Sequence, residues 1–369
     1  MQRLRVLLLF ATPRSSSTFS YHHAWPRHFQ TSSSVSCTAV NLGDQRWHSR
    51  LRSLATIAAW RGDVVVILHS VFSNACLLEG RLFDAVQRRR ELKAYFIGNE
   101  YKLMPEKMAF CEQLPVGLLV SQSNSPLVHR LYRDRLHCEV IHSPNTGYDP
   151  VMFAPTTAES DRPIDLGYRA DDVPPYLGHN ERREIAEYFQ ARAGDFGLRV
   201  DISLAGADRF AEPEWAAFLN RCRGQLGTEA GGDYFTLDDE RRRHAIEYQK
   251  QHPLAGNAEI QNAMSSFPKR GVPLRILSGR NVEAAGTRTV QVLFEGHYDG
   301  LLRADEHYIP LRKDFSDVGD AIRKFRDLSF CARLVDNAQQ VAESLRYDRL
   351  IDRFVKAVSP LVGRRHLGD

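Results

Sequence analysis

Between Leu274 and Leu311 the chain reads LRILSGRNVEAAGTRTVQVLFEGHYDGLLRADEHYIPL, with polar residues where turns should interrupt apolar runs. Leu274–Leu277 and Thr289–Phe294 read as strands, and a short helix lies between them. Asn281 is placed to cap that helix, and Glu283 lies in its opening part. A carboxylate there can accept bonds from a pair of sugar hydroxyls, while the helix N-terminus suits a pyrophosphate. The plainer reading of Glu283 is an acid that only offsets the helix dipole. Arg169 stands at the expected carboxyl end of another strand, where its planar fork could hold a diphosphate. It could equally pair with Asp171 or Asp172.

Two turn regions add backbone groups. In Leu226-Gly227-Thr228-Glu229-Ala230-Gly231-Gly232-Asp233, glycines permit close approach, and exposed N–H groups can meet an anion or a base edge. In Glu295-Gly296-His297-Tyr298-Asp299-Gly300, His297 and Tyr298 follow a strand and could reach a bound sugar. His307 reads as a packed histidine. Asp314 and Ser316 read as caps of the helix that follows.

The elements that must position these residues alternate. Apolar runs at Leu4–Phe10, Ser36–Val40, Val64–His69, Ala94–Gly98, Gly117–Ser121 and Glu139–His142 are separated by helical patterns such as Trp47–Trp60, Ala75–Arg90 and Pro126–Arg135. Continuous apolar strands between helices predict a parallel sheet covered on both faces. The turn-rich PNTGYDPVMFAP, residues 144–155, marks a boundary, so two domains are expected over 1–150 and 151–369. The alternation then restarts with strands Pro163–Tyr168 and Leu198–Leu204 and helices Asn180–Ala193, Glu212–Cys222 and Glu240–Gln251. Gly224–Asp238 reads as a loop. Asp317–Leu361 reads as mostly helical, with a break near Leu328–Ser329. Ligands in such sheets bind outside the carboxyl ends of the strands.

A chain of 369 residues with 43% hydrophobic and 25% charged residues suits two ordinary globular domains. A net charge of +4 argues against a dedicated nucleic-acid binder. Arg88-Arg89-Arg90 and Arg241-Arg242-Arg243 read as solvated helix faces. Six cysteines show no CxxC pair and no zinc spacing, which suits buried thiols in a reducing compartment. The apolar run after Arg3 and Arg5 is short for a secretory core and reads as the first buried strand.

The Leu274–Leu311 block, the Leu226–Asp233 loop, the HYIPL segment and Asp314-Phe315-Ser316 resemble the donor-binding half of GT-B glycosyltransferases. The similarity is greatest to the CgeB-like and spore-protein-like branch of family 1/4. It extends from about Asp161 to Phe315. The resemblance implies an α/β GT-B fold, two Rossmann-like doubly wound domains facing across a cleft, the first for the acceptor and the second for the donor. Glu283 resembles the second glutamate of the E-x7-E pattern and would bind ribose. Where the pattern has its first glutamate, this chain has Arg275. Arg169 and Arg280 would hold the diphosphate. Thr228, Glu229, Gly231, Gly286 and Thr287 would line the base and phosphate pocket, and Tyr298 would face the donor sugar.

In the first domain such an enzyme, if inverting, needs a general base for the acceptor hydroxyl. His22, His23, His69 and Glu100 follow strands and are the candidates. No DxD motif stands in a suitable place, and His22-His23 has no third ligand at useful spacing. A metal-independent transferase with no cofactor beyond its nucleotide-sugar co-substrate is therefore expected. The implied activity is sugar transfer to a hydroxyl acceptor in polysaccharide or glycoconjugate synthesis. The acceptor would be a glycan or a lipid-linked acceptor, and the enzyme cytoplasmic, peripheral to the inner membrane face. A nucleotide-sugar 2-epimerase and a non-catalytic relic of the fold are the alternatives.

Overall fold

The computed structural model describes residues 3–12 and 20–366. By its internal contacts the chain forms two compact units. The first holds Met1–Asn145, Phe235–Asp239 and Tyr347–Asp369; the second holds Thr146–Tyr234 and Glu240–Arg346. The division after Asn145 falls at the turn-rich segment. The last helix groups with the first unit, whereas the sequence reading left it in the second.

In the first unit, strands β1 (Leu4–Phe10), β2 (Val35–Asn41), β3 (Val64–Ile67), β4 (Leu92–Phe96), β5 (Leu118–Ser121) and β6 (Glu139–His142) alternate with helices. These helices are α1 (Tyr21–Thr31), α2 (Trp47–Ala59), α3 (Arg81–Gln87), α4 (Met104–Gln113) and α5 (Pro126–Leu136). The sheet order is β2-β1-β3-β4-β5-β6, and its pairings are parallel. β3 is VVVI and wholly buried, as a strand covered on both faces must be. The helix expected over Ala75–Arg90 contracts to the seven residues of α3. β2 and β3 flank β1, so the chain reverses its winding direction between β1 and β3.

The second unit begins with β7 (Ile164–Arg169), α6 (Glu181–Arg192), β8 (Val200–Ser203), α7 (Glu212–Arg221), β9 (Cys222–Gly227) and β10 (Ala230–Phe235). It continues with α8 (Glu240–Gln251), α9 (Asn257–Ala263), β11 (Val272–Ile276), α10 (Gly279–Gly286), β12 (Val290–Phe294) and β13 (Ile309–Leu311). The helices α11 (Val318–Arg326) and α12 (Leu328–Ser344) complete it, and α13 (Tyr347–His366) returns to the first unit. The main sheet runs β13-β12-β9-β7-β8, again with parallel pairings, and β10 with β11 makes a separate ribbon.

The sequence reading missed β9, the central strand. Its sequence CRGQLG has few apolar residues, yet Gln225 is 1% exposed. Gly224 is needed because a Cβ there would lie 2.6 Å from the Phe325 ring. The region expected as a loop is therefore two strands. Arg241 is not solvated either: it lies 4.4 Å over the Tyr234 ring and donates to Tyr176 O at 3.1 Å. α11 is preceded by Asp317 as its N-cap, while Asp314 accepts the Ser316 N–H and hydroxyl in the turn before it. The break near Leu328 is present, with Asp327 accepting from Phe330 N at 3.0 Å. Among the described residues no helix is long and apolar enough to cross a membrane.

Candidate functional site

In the second sheet β8 and β9 flank β7, so the winding reverses between β7 and β9. The crevice outside the carboxyl ends of those two strands is where a ligand is expected. α10 begins near it: a Cβ on Gly227, the last residue of β9, would lie 3.5 Å from Asn281 Nδ2. Ser278 is the N-cap of α10, and Asn281, expected as the cap, sits in the first turn with its Oδ1 accepting the Ser278 N–H at 3.2 Å. Gly279 is required here, because a Cβ would fall 2.3 Å from Thr146 Oγ1.

Arg280 follows in the first turn of α10. It is half-buried and makes no hydrogen bond or salt bridge among the described residues. Burial, and then the charge of neighbouring Arg182, lower its pKa to about 10. Arg182 stands in the first turn of α6, and its Nε is buried without a hydrogen-bond partner. The Tyr168 hydroxyl, at the end of β7, is buried without one as well. Arg209, paired with Asp171 at 2.5 Å, adds a further positive charge near Arg280. Two guanidiniums, an unsatisfied hydroxyl and a helix N-terminus converge, and together they suit an anion with several acceptor oxygens. Sequence reading named Arg280 but missed Arg182 and Tyr168, which lie far from it in sequence.

Glu283 lies one turn further along α10, buried, and its Oε2 accepts the Trp215 indole N–H at 2.7 Å. Arg275, at the departure from E-x7-E, forks onto both oxygens of Glu181 at 3.0 Å and reaches Asp233 at 2.8 Å. Lys313 joins Glu181 at 2.7 Å, and these cations hold that carboxyl below its ordinary range despite burial. A carboxylate is thus delivered beside Arg275 from α6.

The other expected donor residues divide. Glu229 Oε1 accepts the His297 N–H at 3.1 Å and the Tyr298 N–H at 2.7 Å, so it braces the loop after β12. Burial raises its pKa. Thr228 is buried, with its hydroxyl on Glu229 O at 2.8 Å. Gly231 has φ +86°, and a Cβ there would meet Leu274 O at 1.8 Å, so it serves the contact of β10 with β11.

Three expectations are corrected. Arg169 is held by Asp201, at 2.6 Å to Oδ1 and 2.9 Å to the carbonyl, and lies 4.6 Å from the Phe218 ring centre. It therefore ties β7 to β8 and is not a free diphosphate fork. Tyr298 turns inward, its hydroxyl on Phe294 O at 2.6 Å and its ring buried against Tyr308. Gly286 and Thr287 lie at the far end of α10, about 12 Å along the helix from its start at 1.5 Å per residue. Thr287 is 0% exposed, and its carbonyl takes Arg162 at 2.8 Å together with groups at the amino ends of the strands.

In the first unit His22 and His69 come together. Their rings lie 5.9 Å apart, and Tyr21 is 4.8 Å from His69. The position is the carboxyl end of β1 and β3, where that sheet reverses direction. His69 is 5% exposed, and its Nε2 has no hydrogen-bond partner among the described residues. Burial pulls His69 well below the ordinary imidazole range and His22 to about 4, and it lowers His23 too. All three are neutral near pH 7. Residues 13–19 lie outside the described residues. Glu100 is 1% exposed and accepts Tyr132 Oη at 2.6 Å, Gln122 N at 2.6 Å and Ser121 Oγ at 2.9 Å. That bonding makes it a strut between β4 and β5 and not an open base. Lys107, which the sequence reading passed over, is buried and donates to the Gly98, Asn99 and Lys102 carbonyls, so it shapes the same loop.

By sequence the chain matches no protein-family model and no curated protein. By structure it is similar to β-glucosyltransferase, a DNA-modifying enzyme solved with and without uridine diphosphoglucose: TM-score 0.55 at 8% identity, covering 96% of this chain and 100% of that one. Sucrose-phosphate synthase from Thermosynechococcus elongatus gives 0.52 at 9% identity over 98% and 100%. HepE from Anabaena, solved with UDP, gives 0.51 at 11% over 97% and 100%.

The chain has the GT-B fold. Its two units are the two Rossmann-like domains of that fold. The cationic cluster around Arg280 therefore lies in the domain to which the motif resemblance assigned the donor, and the His22–His69 pair in the one assigned to the acceptor. The structures named share the GT-B fold with this chain at identities of 8–11%, so the likeness is one of fold.

Proposed function

We propose that the protein is a glycosyltransferase that moves a sugar from a nucleoside-diphosphate sugar to a hydroxyl acceptor. The observation that carries this is the half-buried Arg280 guanidinium, without a salt-bridge partner, at the start of α10 beside Arg182 and the unsatisfied Tyr168 hydroxyl. An unpaired cation in such a place is costly unless a ligand supplies the anion. In this reading the diphosphate bridges Arg280 and Arg182 at the helix N-terminus, and Glu283, oriented by Trp215, takes the ribose hydroxyls. As the sugar leaves, negative charge grows on the diphosphate, and preorganised guanidiniums stabilise it without a metal being required by the residues present. Thr228 and Glu229 shape the wall after β9.

His22 or His69 is the base in this reading if the enzyme inverts. Each is neutral near pH 7 and so able to accept the acceptor's proton. The acceptor is a glycan or a lipid-linked glycan in polysaccharide or glycoconjugate assembly, met on the cytoplasmic side. The finer placement in the CgeB-like branch rests on the motif residues. Calorimetric titration with UDP, GDP, dTDP and CMP tests the donor site. One diphosphate is expected to bind, and Glu283→Ala to weaken it by about tenfold or more, as loss of a charged hydrogen-bond partner would. Failure of well-folded protein to bind any of them removes the reading.

A further inference from the structure

His179 lies on the connection from β7 to α6 and is 8% exposed. Gly178 precedes it at φ +92°, and a Cβ there would lie 2.5 Å from the Tyr234 ring, so the connection is laid against β10. The His179 Nε2 bonds the Gly231 carbonyl at 3.1 Å. A carbonyl only accepts, so Nε2 carries the hydrogen and Nδ1 presents a lone pair. Burial, and then the charge of Arg275, lower the pKa of the ring, which is neutral near pH 7. Nδ1 is buried without a hydrogen-bond partner among the described residues.

Glu181 Oε2 lies 3.9 Å from that nitrogen. Glu181 opens α6 and is buried. Arg275 gives it one bond on each oxygen, and Lys313 a second on Oε1. A carboxylate has about four acceptor sites, so one is left, on Oε2. Two buried acceptors thus face each other with no donor between them, which is costly unless something supplies donors. Two adjacent hydroxyls would do so, one to each acceptor. Lys313 is 57% exposed, so the cluster opens to solvent on its side.

The pair also stands in the right place. Glu283 and Arg280 belong to α10, and Arg182 and Glu181 to α6. Arg280 has Arg182 and Glu283 among its charged neighbours, whereas Tyr168 has Arg280, Arg182 and Glu181. With ribose at Glu283 and the diphosphate across Arg280 and Arg182, the sugar on the second phosphate comes next, beside Glu181. The charges around it cancel, Arg275 and Lys313 against Glu181 and Asp233. No net positive charge is left for an acidic sugar.

We infer that His179 Nδ1 and Glu181 Oε2 each accept one of two adjacent hydroxyls on an uncharged sugar carried by the donor. His179 is then a specificity-determining residue, because a site built to bond a hydroxyl rejects the analogue that lacks it. The inference rests on the donor reading of the Arg280 site.

The test is calorimetric titration of the full chain with UDP, dTDP and GDP, and with UDP-glucose, dTDP-glucose and GDP-mannose. The quantity read is the affinity of the sugar conjugate relative to that of its free diphosphate. His179→Gln keeps a donor for the Gly231 carbonyl and lacks the acceptor at Nδ1. The ratio should fall about fivefold in this variant, the worth of one hydrogen bond, with diphosphate affinity unchanged. His179→Asn, whose amide oxygen takes the place of Nδ1, should keep the wild-type ratio. Conjugates of the singly deoxygenated sugars, titrated against the wild-type chain, decide the matter without any variant. Removal of either of two adjacent hydroxyls should cost about fivefold, and removal of the others little. A ratio unchanged in His179→Gln, equal losses in both variants, or a deoxy series without an adjacent pair would overturn the inference. Diphosphate binding with no binding of its conjugate would overturn it alone, whereas failure of every diphosphate to bind would remove the donor reading and this inference with it.

Discussion

Arg280, in the proposed site, can be told from a structural arginine by substitution. A guanidinium without an ion-pair partner, with its pKa drawn down to about 10 by burial, is a cost to the folded chain. Arg280→Met should leave Tm unchanged or raise it, yet reduce affinity for the preferred nucleoside diphosphate by about 10- to 100-fold, the value of a charged hydrogen bond or two. A Tm fall with unchanged affinity would count against the site. Glu100 should behave in the opposite way. Its carboxylate serves three donors in the interior, so Glu100→Ala should destabilise the protein by about 2–4 kcal/mol in urea unfolding. A general base would instead leave stability intact and remove a limb from the pH–rate profile.

At the scale of elements, the β10–β11 ribbon depends on a backbone contact that only glycine allows. Gly231 combines positive φ with an approach to Leu274 O that leaves no room for a Cβ. Gly231→Ala should therefore separate β10 from β11, lower stability by about 2 kcal/mol or more, and weaken nucleotide binding by displacing Arg275 of β11 and its partner Glu181. Thermal unfolding and the same calorimetry check it; an unchanged Tm would mean that the strand pair yields easily. The length of α10 matters in the same way. Two turns of helix carry Gly286 and Thr287 to the wrong end of the sheet, although they are only a few residues from Arg280 in sequence.

Across the whole molecule, buried histidines set the acid limit. His22 and His142 are drawn from 6.5 to about 4, chiefly by burial, and burial draws His69 well below 6.5 too. Between those values the unfolded chain binds protons that the folded chain does not, so stability rises with pH through this window. It should be full above about pH 6.5 and decline as pH falls towards 4, by up to about 3 kcal/mol for each of His22 and His142. Urea unfolding at pH 7 and pH 5 should show this. In His142→Phe the difference should shrink, and an unchanged difference would place the proton uptake elsewhere.

The alternation of apolar runs with helical patterns was enough to determine parallel α/β sheets, because strands buried on both faces must be continuously apolar. The same pattern could not show β9, whose polar CRGQLG is buried by packing of Gly224 on Phe325 and by its place at the centre of the sheet. Among the residues of the proposed site, Glu283 and Arg280 could be picked out because their chemistry sits beside a helix start that is itself legible. Arg182 and Tyr168 could not, since they join Arg280 only once β7, α6 and α10 are brought to one edge. Arg169, Tyr298 and Glu100 had suitable types and positions, and the fold spent them on Asp201, on a backbone carbonyl and on three buried donors. Residue type and local spacing limit what a side chain can do, while its partners, which come from distant segments, decide what it does.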